Sequence, residues 1–316
     1  MLATSWKYAM ATTDDENDFH EPHAATAVSP GLWLVATPIG NMGDMTIRAR
    51  EVLRAAKVVC CEDTRRSGRL LAAIAATPER LMVVNEHTEH DAIDAVADLV
   101  ANGHVVALIS DAGTPAISDP GERLVRALVE RSLPVWSAPG PAALIAAVIV
   151  SGFPTNRFVF EGFLPRDGAE RRERLAEIAR ERRTCVLYEA PHRIERTLTD
   201  LAEACGPNRR VCLSRELTKM HEELWRGTLA EAIEHTRTTE PRGEFVLVLE
   251  GAVVISADAS DADIVKALSE RRSLGLSTRD SVDEVSTVLN VSRKRVYDLA
   301  TSSAVPGAKG PKKRKT

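Results

Sequence analysis

The residues of this chain best suited to holding a ligand fall in five short segments: Thr37-Pro38-Ile39-Gly40-Asn41, the run from Asp111 to Gly121, Ala138 to Ala143, Glu189-Ala190-Pro191-His192-Arg193, and Arg215-Glu216-Leu217. Each comes at the end of a short apolar run. Glycine and proline concentrated at such places let the main chain approach a ligand closely and hold it without an ordering cost at each binding event. Any one segment taken alone is as readily a tight turn. Five in one chain, two of them long and unusual, argue for a ligand cleft. None reads GxGxxG or GxxxxGK[ST], which disfavours Rossmann dinucleotides and P-loop nucleotides.

Other reactive residue types carry less. His87 and His90 lie among Glu86, Glu89 and Asp91, but their spacing and dense charge suit a solvated loop and helix start, and no metal is expected. The five cysteines are odd in number and form no CxxC pair, so neither a disulfide framework nor a cysteine zinc site is indicated, and a reducing cytoplasm is the expected location. Arg166 to Arg183 holds seven arginines and five acids, a pattern of a solvated helix face laced with ion pairs, with RNA contact a secondary reading. The longest apolar run, Ala142 to Val150, has nine residues. A bilayer-spanning helix requires about 20. The first residues lack the basic-then-apolar order of a signal peptide, and no membrane partner is expected.

The elements that must position these loops alternate regularly. Apolar runs rich in β-branched residues (Leu32 to Ala36, Val58 to Cys61, Leu81 to Val84, Val105 to Ile109, Val135 to Trp136, Phe158 to Phe160, Cys185 to Tyr188, Val211 to Leu213, Phe245 to Leu249) are separated by amphipathic stretches such as Met45 to Ala56 and Ala92 to Ala101. This is the α/β class, with largely parallel sheets covered on both faces. The regularity breaks after Ser151, so two α/β domains are expected, 31–141 and 142–251, joined through the stiff Ala138-Pro139-Gly140-Pro141. Residues 1–30, with five acids against Lys7, read as a disordered leader. Residues 260–301 read as helices, with Ser292 placed to cap the last, and 302–316 as a basic disordered tail.

Taken in order, Thr37 to Asn41, Glu62-Asp63-Thr64-Arg65, Asn85-Glu86-His87, Asp111 to Gly121, Ala138 to Pro141, Tyr188 to Arg193 and Arg215 to Lys219 closely resemble the ribosomal RNA small subunit methyltransferase I family, a branch of the tetrapyrrole methylase superfamily. The resemblance covers about Gly31 to Gly251. It implies two α/β domains of the class III methyltransferase type, with S-adenosyl-L-methionine in the cleft between them, a small helical C-terminal domain, and a homodimer. It further implies methylation of the ribose 2′-hydroxyl of a decoding-region cytidine in 16S ribosomal RNA, as free RNA or within the small ribosomal subunit. By motif, the cofactor contacts fall on Pro38, Ile39, Gly40, Asp111, Ala112, Gly113, Thr114, Pro115, Ile117, Ala142, Ala143, Glu189 and Leu217. A ribose hydroxyl needs its proton accepted or polarised. Asp63 is the candidate base, with a surface ion pair to Arg65 or a helix cap as the competing reading. His192 and Arg193 are candidates for RNA phosphate. Gly113-Thr114-Pro115 stands where tetrapyrrole methylases typically carry Gly-Asp-Pro, which weakens the alternative of a tetrapyrrole C-methyltransferase.

The net charge of −4 at first argues against a nucleic-acid partner. Its distribution reverses that inference, because residues 261–316 hold twelve Lys and Arg against seven Asp and Glu, a net +5, and the field at a surface follows local charge. Ser277 to Asn290 followed by Ser292 to Ala300 resembles a helix-turn-helix, with Arg293, Lys294 and Arg295 opening the recognition helix. Alone, that pattern suggests a DNA-binding regulator. The cofactor-type loops before it favour a segment that docks RNA.

Overall fold

A computed structural model describes residues 28–239, 241–252, 259–273, 276–289 and 291–301. The expected tail, 302–316, and the first 27 residues of the expected leader lie outside the described residues. The chain divides into two compact units, Met1–Gly251 and Ala252–Thr316.

In the first unit, β1 (Gly31–Val35), β2 (Val58–Cys61), β3 (Arg80–Val83), β4 (Val105–Leu108) and β5 (Val135–Ala138) form a sheet in the order β3-β2-β4-β1-β5. All its pairings are parallel. Alternate side chains face opposite ways. Trp33, Val35, Val59, Cys61, Ala107 and Ile109 pack with α1 (Ile47–Ala55) and α2 (Thr64–Ala73). Leu32, Val58, Cys60, Val106 and Leu108 pack with α3 (Glu89–Ala101) and α4 (Glu122–Glu130). Because both faces are buried, the inner strands β1, β2 and β4 are almost continuously apolar, while edge strands β3 and β5 carry exposed Arg80 and Ser137. The connection from β1 leads to α1 on one face and that from β4 leads to α4 on the other. Neighbouring β1 and β4 therefore flank a topological switch point, where the loops that follow them part into a crevice.

Contacts with the core begin before the expected boundary at residue 30. Val28 packs on the first core, the Trp33 indole donates to the Ser29 carbonyl at 2.9 Å, and the Trp136 indole donates to that of Pro30 at 3.0 Å.

The second sheet departs from the parallel expectation. Its strands β6 (Phe158–Phe163), β7 (Thr184–Glu189), β8 (Arg210–Arg215), β9 (Glu223–Thr228) and β10 (Phe245–Leu249) run in the order β6-β7-β10-β8-β9. The β6–β7 pair is parallel, while β7–β10, β10–β8 and β8–β9 are antiparallel. The short connection from β8 to β9 forces the antiparallel sense of that pair, since a parallel pair needs a crossover of a dozen or more residues. Central β10 is buried throughout. Phe245, Leu247 and Leu249 face α6 (Gly168–Arg180), α7 (Ile194–Cys205) and α8 (Leu229–Thr238), while Val246 and Val248 pack with Leu144, Ala147 and Val148 of α5 (Ala143–Ser151). Ile39, from the loop after β1, packs against this last cluster, so the first loop and the second sheet share apolar contacts within one unit.

Helix α8 opens on a capping box. Thr228 Oγ1 accepts from the Glu231 amide at 3.3 Å, and Glu231 Oε2 accepts from the Thr228 amide at 2.8 Å. Thr228→Ala is expected to lower unfolding free energy by about 1 kcal/mol, measured by urea denaturation, with Thr228→Ser near wild type.

The second unit packs α9 (Asp261–Ser273), α10 (Thr278–Val288) and α11 (Arg293–Thr301) around Ile264, Leu268, Val282, Val285, Val296 and Ala300. Ser292 caps α11, accepting from the Arg295 amide at 3.2 Å. Among the described residues, no helix is long and apolar enough to cross a membrane.

Candidate functional site

The loops after strands of the first sheet and the facing strand ends of the second converge on a cavity of about 460 Å³ in the first unit. They are stitched together by main-chain and side-chain bonds. Thr37 donates its amide to the Gly113 carbonyl at 2.8 Å, and Gly113 returns one to Thr37 at 3.1 Å. Thr114 Oγ1 donates to the Pro141 carbonyl at 2.9 Å, and Tyr188 Oη accepts from the Leu144 amide at 3.2 Å.

Ten expected residues line the cavity: Ile39, Asp111, Ala112, Gly113, Thr114, Ile117, Ala142, Ala143, Glu189 and Leu217. Pro38, Gly40 and Pro115 do not. Gly40 stands behind the wall, where a Cβ would lie 2.4 Å from Lys219 Cγ, so the missing side chain makes room for Lys219 to reach the cavity. Pro115 is buried within its own loop.

Asp63 is also absent from the lining. It is the N-cap of α2, accepting from the Arg65 amide at 2.8 Å and pairing with the Arg65 guanidinium at 3.4 Å. Those bonds hold its carboxyl below the usual range, which suits a cap and makes a weaker base. Its neighbour Glu62 accepts from the Asp111 amide at 3.1 Å and so buttresses the second loop. Arg193 is likewise engaged internally. Its guanidinium donates to the Leu164 carbonyl at 2.6 Å and pairs with Glu189 at 3.2 Å, which leaves His192 of the two facing the cavity.

Glu189 contributes wall but little free charge. One oxygen accepts from the Ala190 amide at 2.9 Å and the other from Thr197 Oγ1 at 2.6 Å. Elsewhere the polar side holds two cations. Arg66 meets Asp111 at 3.1 Å, while Lys219 bridges Glu216 at 2.8 Å and Glu244 at 2.9 Å. Burial works against the charge of Glu216, yet the bonds from Lys219 and the Glu244 amide keep its carboxyl below the usual range. Asp119 differs. Burial first, then the charge of Glu62, pushes its carboxyl up to about 7, against a hydrogen bond from Ser110.

Phe163, Tyr188, Asp119, Ser214, Lys219 and Glu244 line the cavity without having been singled out as cofactor contacts. Phe163 lies beyond the expected end of its strand, past a bulge at Gly162 with φ +62°, so the apolar run does not show which way the ring turns. Tyr188, Lys219 and Asp119 do fall inside segments read as motifs, at positions not chosen within them.

The cavity suits a small organic cofactor. Its volume falls in the range of such pockets, its walls are mostly small and apolar, and Gly113 brings bare main chain to the surface. Among the described residues, no group of three or more His, Cys, Asp or Glu is arranged to hold a metal ion.

Fold and cavity together define a class. Residues 31–233 match the model of the Tetrapyrrole (Corrin/Porphyrin) Methylases. Solved structures with the same fold include cobalt precorrin-4 methyltransferase (TM-score 0.54, 17% identity, 69% of this chain and 94% of that one). Another is uroporphyrin-III C-methyltransferase from Thermus thermophilus, complexed with S-adenyl homocysteine (TM-score 0.51, 23% identity, 71% of this chain and 98% of that one). Curated relatives are nearer in sequence. A ribosomal RNA small subunit methyltransferase I from Synechocystis is 42% identical over 87% of this chain and 99% of the relative. Its namesake from Thermotoga maritima is 44% identical over 70% and 98%. The chain belongs to the tetrapyrrole methylase family and, within it, to the ribosomal RNA small subunit methyltransferase I family.

Proposed function

We propose that this chain uses S-adenosyl-L-methionine to methylate the ribose 2′-hydroxyl of a decoding-region cytidine in 16S ribosomal RNA, acting in the cytoplasm. The observation that carries the reading is the crevice at the β1–β4 switch point, closed by the Thr37–Gly113 bridge and faced by the strand ends of the second sheet. The donor is held by Ile39, Asp111, Ala112, Gly113, Thr114, Ile117, Ala142, Ala143, Glu189 and Leu217, with Pro38, Gly40 and Pro115 shaping the loops behind them. Bound there, the donor supplies an electrophilic methyl carbon. The chain's part is to fix the approach of the hydroxyl, since displacement at carbon gains most from alignment. Apolar Ile39, Leu217 and Val246 exclude water from the parts of the wall they form, while Arg66 and Lys219 are held by Asp111, Glu216 and Glu244.

The helical unit is proposed to dock RNA, though less of its charge is available than the residue count suggests. Arg293 pairs with Asp283, and Arg295 with Asp261 at 2.8 Å. Lys294 is exposed on the same helix. A second copy of the chain is the proposed protein partner, and exposed Ile145 and Ile149 on α5 leave an apolar face for contact.

Incubation with methyl-labelled donor and small ribosomal subunits, a tetrapyrrole precursor or duplex DNA tests the reading. Label is expected in the RNA of the subunit, on ribose. Label in the tetrapyrrole alone, or in nothing, overturns it.

A further inference from the structure

We propose that Asp119 is the catalytic proton acceptor, its carboxylate taking the proton of the substrate hydroxyl at the cavity. The inference rests on the methyl-transfer reading above and deepens it, because that reading needs an acceptor and Asp63 does not face the cavity.

Elimination along the wall is the first support. Asp111 is paired with Arg66, while Glu216 and Glu244 share Lys219. Glu189 spends its oxygens on Ala190, Thr197 and Arg193. Among the described residues, Asp119 is the cavity carboxylate with no ion-pair partner, so its oxygens are not committed to a neighbouring cation.

Local backbone is the second support. Ala116 and Ser118 take left-handed conformations, with φ of +66° and +60°, which are strained for residues other than glycine. Strain of that kind persists where surrounding structure enforces it. The enforcing contacts are visible. Buried Glu89 accepts from the amides of Gly121 and Leu124 at 3.0 and 2.9 Å, and the Ala116 amide donates back to the Pro120 carbonyl at 3.2 Å. On the other side the loop lies against the β6 bulge, where a Cβ on Gly162 would sit 3.1 Å from Ser118 Oγ. A loop strained at two residues and braced at both ends presents Asp119 at a fixed place on the wall.

The third support is electrostatic. The charged and titratable groups around Asp119 are Glu62 from the end of β2, Asp111 from its own loop, Glu244 from the start of β10 and the Tyr188 phenol of β7, with Ser110 as its hydrogen-bond partner. Arg66 lies on Asp111 and Lys219 on Glu216 and Glu244, so the cations are drawn to other acids. His192 is the other proton-accepting type on the wall. Burial and like charge raise proton affinity, and a general base works best when its pKa lies near the operating pH.

In the step, the hydroxyl oxygen forms its bond to the methyl carbon and passes its proton to the Asp119 carboxylate. The electron pair of the broken carbon–sulfur bond stays on sulfur, which becomes a neutral thioether. The proton then leaves the carboxyl for water, and no oxidant or reductant is involved.

The test uses the full chain and small ribosomal subunits, with three readouts: single-turnover methyl transfer against pH, calorimetric binding of S-adenosylhomocysteine, and NMR titration of the Asp119 carboxyl without ligand. The wild-type rate is expected to rise with pH through about 7 and then level, since the ionised form is active, and the carboxyl is expected to titrate in the same range. Asp119→Asn is expected to cut the rate at least about 100-fold and remove that ionisation, with S-adenosylhomocysteine affinity within about threefold of wild type. Asp119→Glu is expected to recover part of the rate. An Asp119→Asn rate within about threefold of wild type overturns the assignment, as does a pH profile abolished by His192→Ala and kept by Asp119→Asn. Where Asp119→Asn fails to fold, the wild-type titration decides, and a carboxyl titrating near 4 overturns the assignment. Wild-type protein that binds no S-adenosylhomocysteine overturns the methyl-transfer reading beneath it, and the assignment with it.

Discussion

Glu89→Ala is expected to lower unfolding free energy by about 2–4 kcal/mol, while Glu89→Gln retains most of the stability. The asymmetry follows from the bonding. One oxygen, Oε1, accepts from both the Gly121 amide at 3.0 Å and the Leu124 amide at 2.9 Å. Those amides open α4, where no side chain of the helix's own N-cap residue, Gly121, can serve them. Glu89 is 5% exposed, so alanine leaves the amides without a partner and without ready access to water. Each unmet buried donor costs about 1–3 kcal/mol. Glutamine keeps a carbonyl oxygen at the same position and loses the charge that favours a helix N-terminus. Urea denaturation and hydrogen exchange at Gly121 and Leu124 measure both effects. A Glu89→Ala protein within about 0.5 kcal/mol of wild type, with those amides still protected, rules the brace out.

Why Glu89 escaped the sequence reading shows where such reading ends. In the chain it stands between His87, His90 and Asp91, and local charge density suggests solvent. Its partners lie 32 and 35 positions away, and nothing local announces a contact at that range. The first sheet was legible for the opposite reason. Burial on both faces writes its inner strands as apolar runs, as in Val58 to Cys61. Strand β9 was not, since Glu223-Leu224-Trp225-Arg226-Gly227-Thr228 is a half-buried edge with a polar side. The same limit hid the antiparallel order, because β10 is as apolar as a parallel core strand while pairing antiparallel on both sides.

At the site, glycine and proline marked the loops and the loops did form the cavity, because backbone needs are local. Which carboxylate faces inward is a matter of rotamer and long-range packing. Asp63 and Asp119 are the same residue type in connections that follow strands of the first sheet, and one became a cap while the other joined the wall. Glu62 shows a third outcome. It neither caps nor lines, and instead holds the Asp111 amide from a strand two positions away from β1 in the sheet.

Gly113→Val is expected to weaken S-adenosylhomocysteine binding at least about 30-fold, equivalent to about 2 kcal/mol, and to cost stability as well. Two independent penalties fall at this residue. Its φ of +83° lies where β-branched side chains are strained by about 1–3 kcal/mol. A Cβ there would also stand 3.2 Å from Ile39 Cγ2, so the added methyl groups press on a side chain that itself lines the cavity. Relief by rotating φ breaks the reciprocal bonds with Thr37, which join the loop after β1 to the loop after β4. Relief by moving Ile39 disturbs its packing against Leu217 and α5. Gly113→Ala keeps the backbone strain but omits the branching methyls, so its affinity loss should be the smaller while its stability loss is comparable. Calorimetry on both variants, with thermal unfolding beside it, separates the terms. If both variants unfold early but bind alike and near wild type, the glycine serves the turn alone; affinity falling with side-chain size places the ligand against this strip of bare main chain.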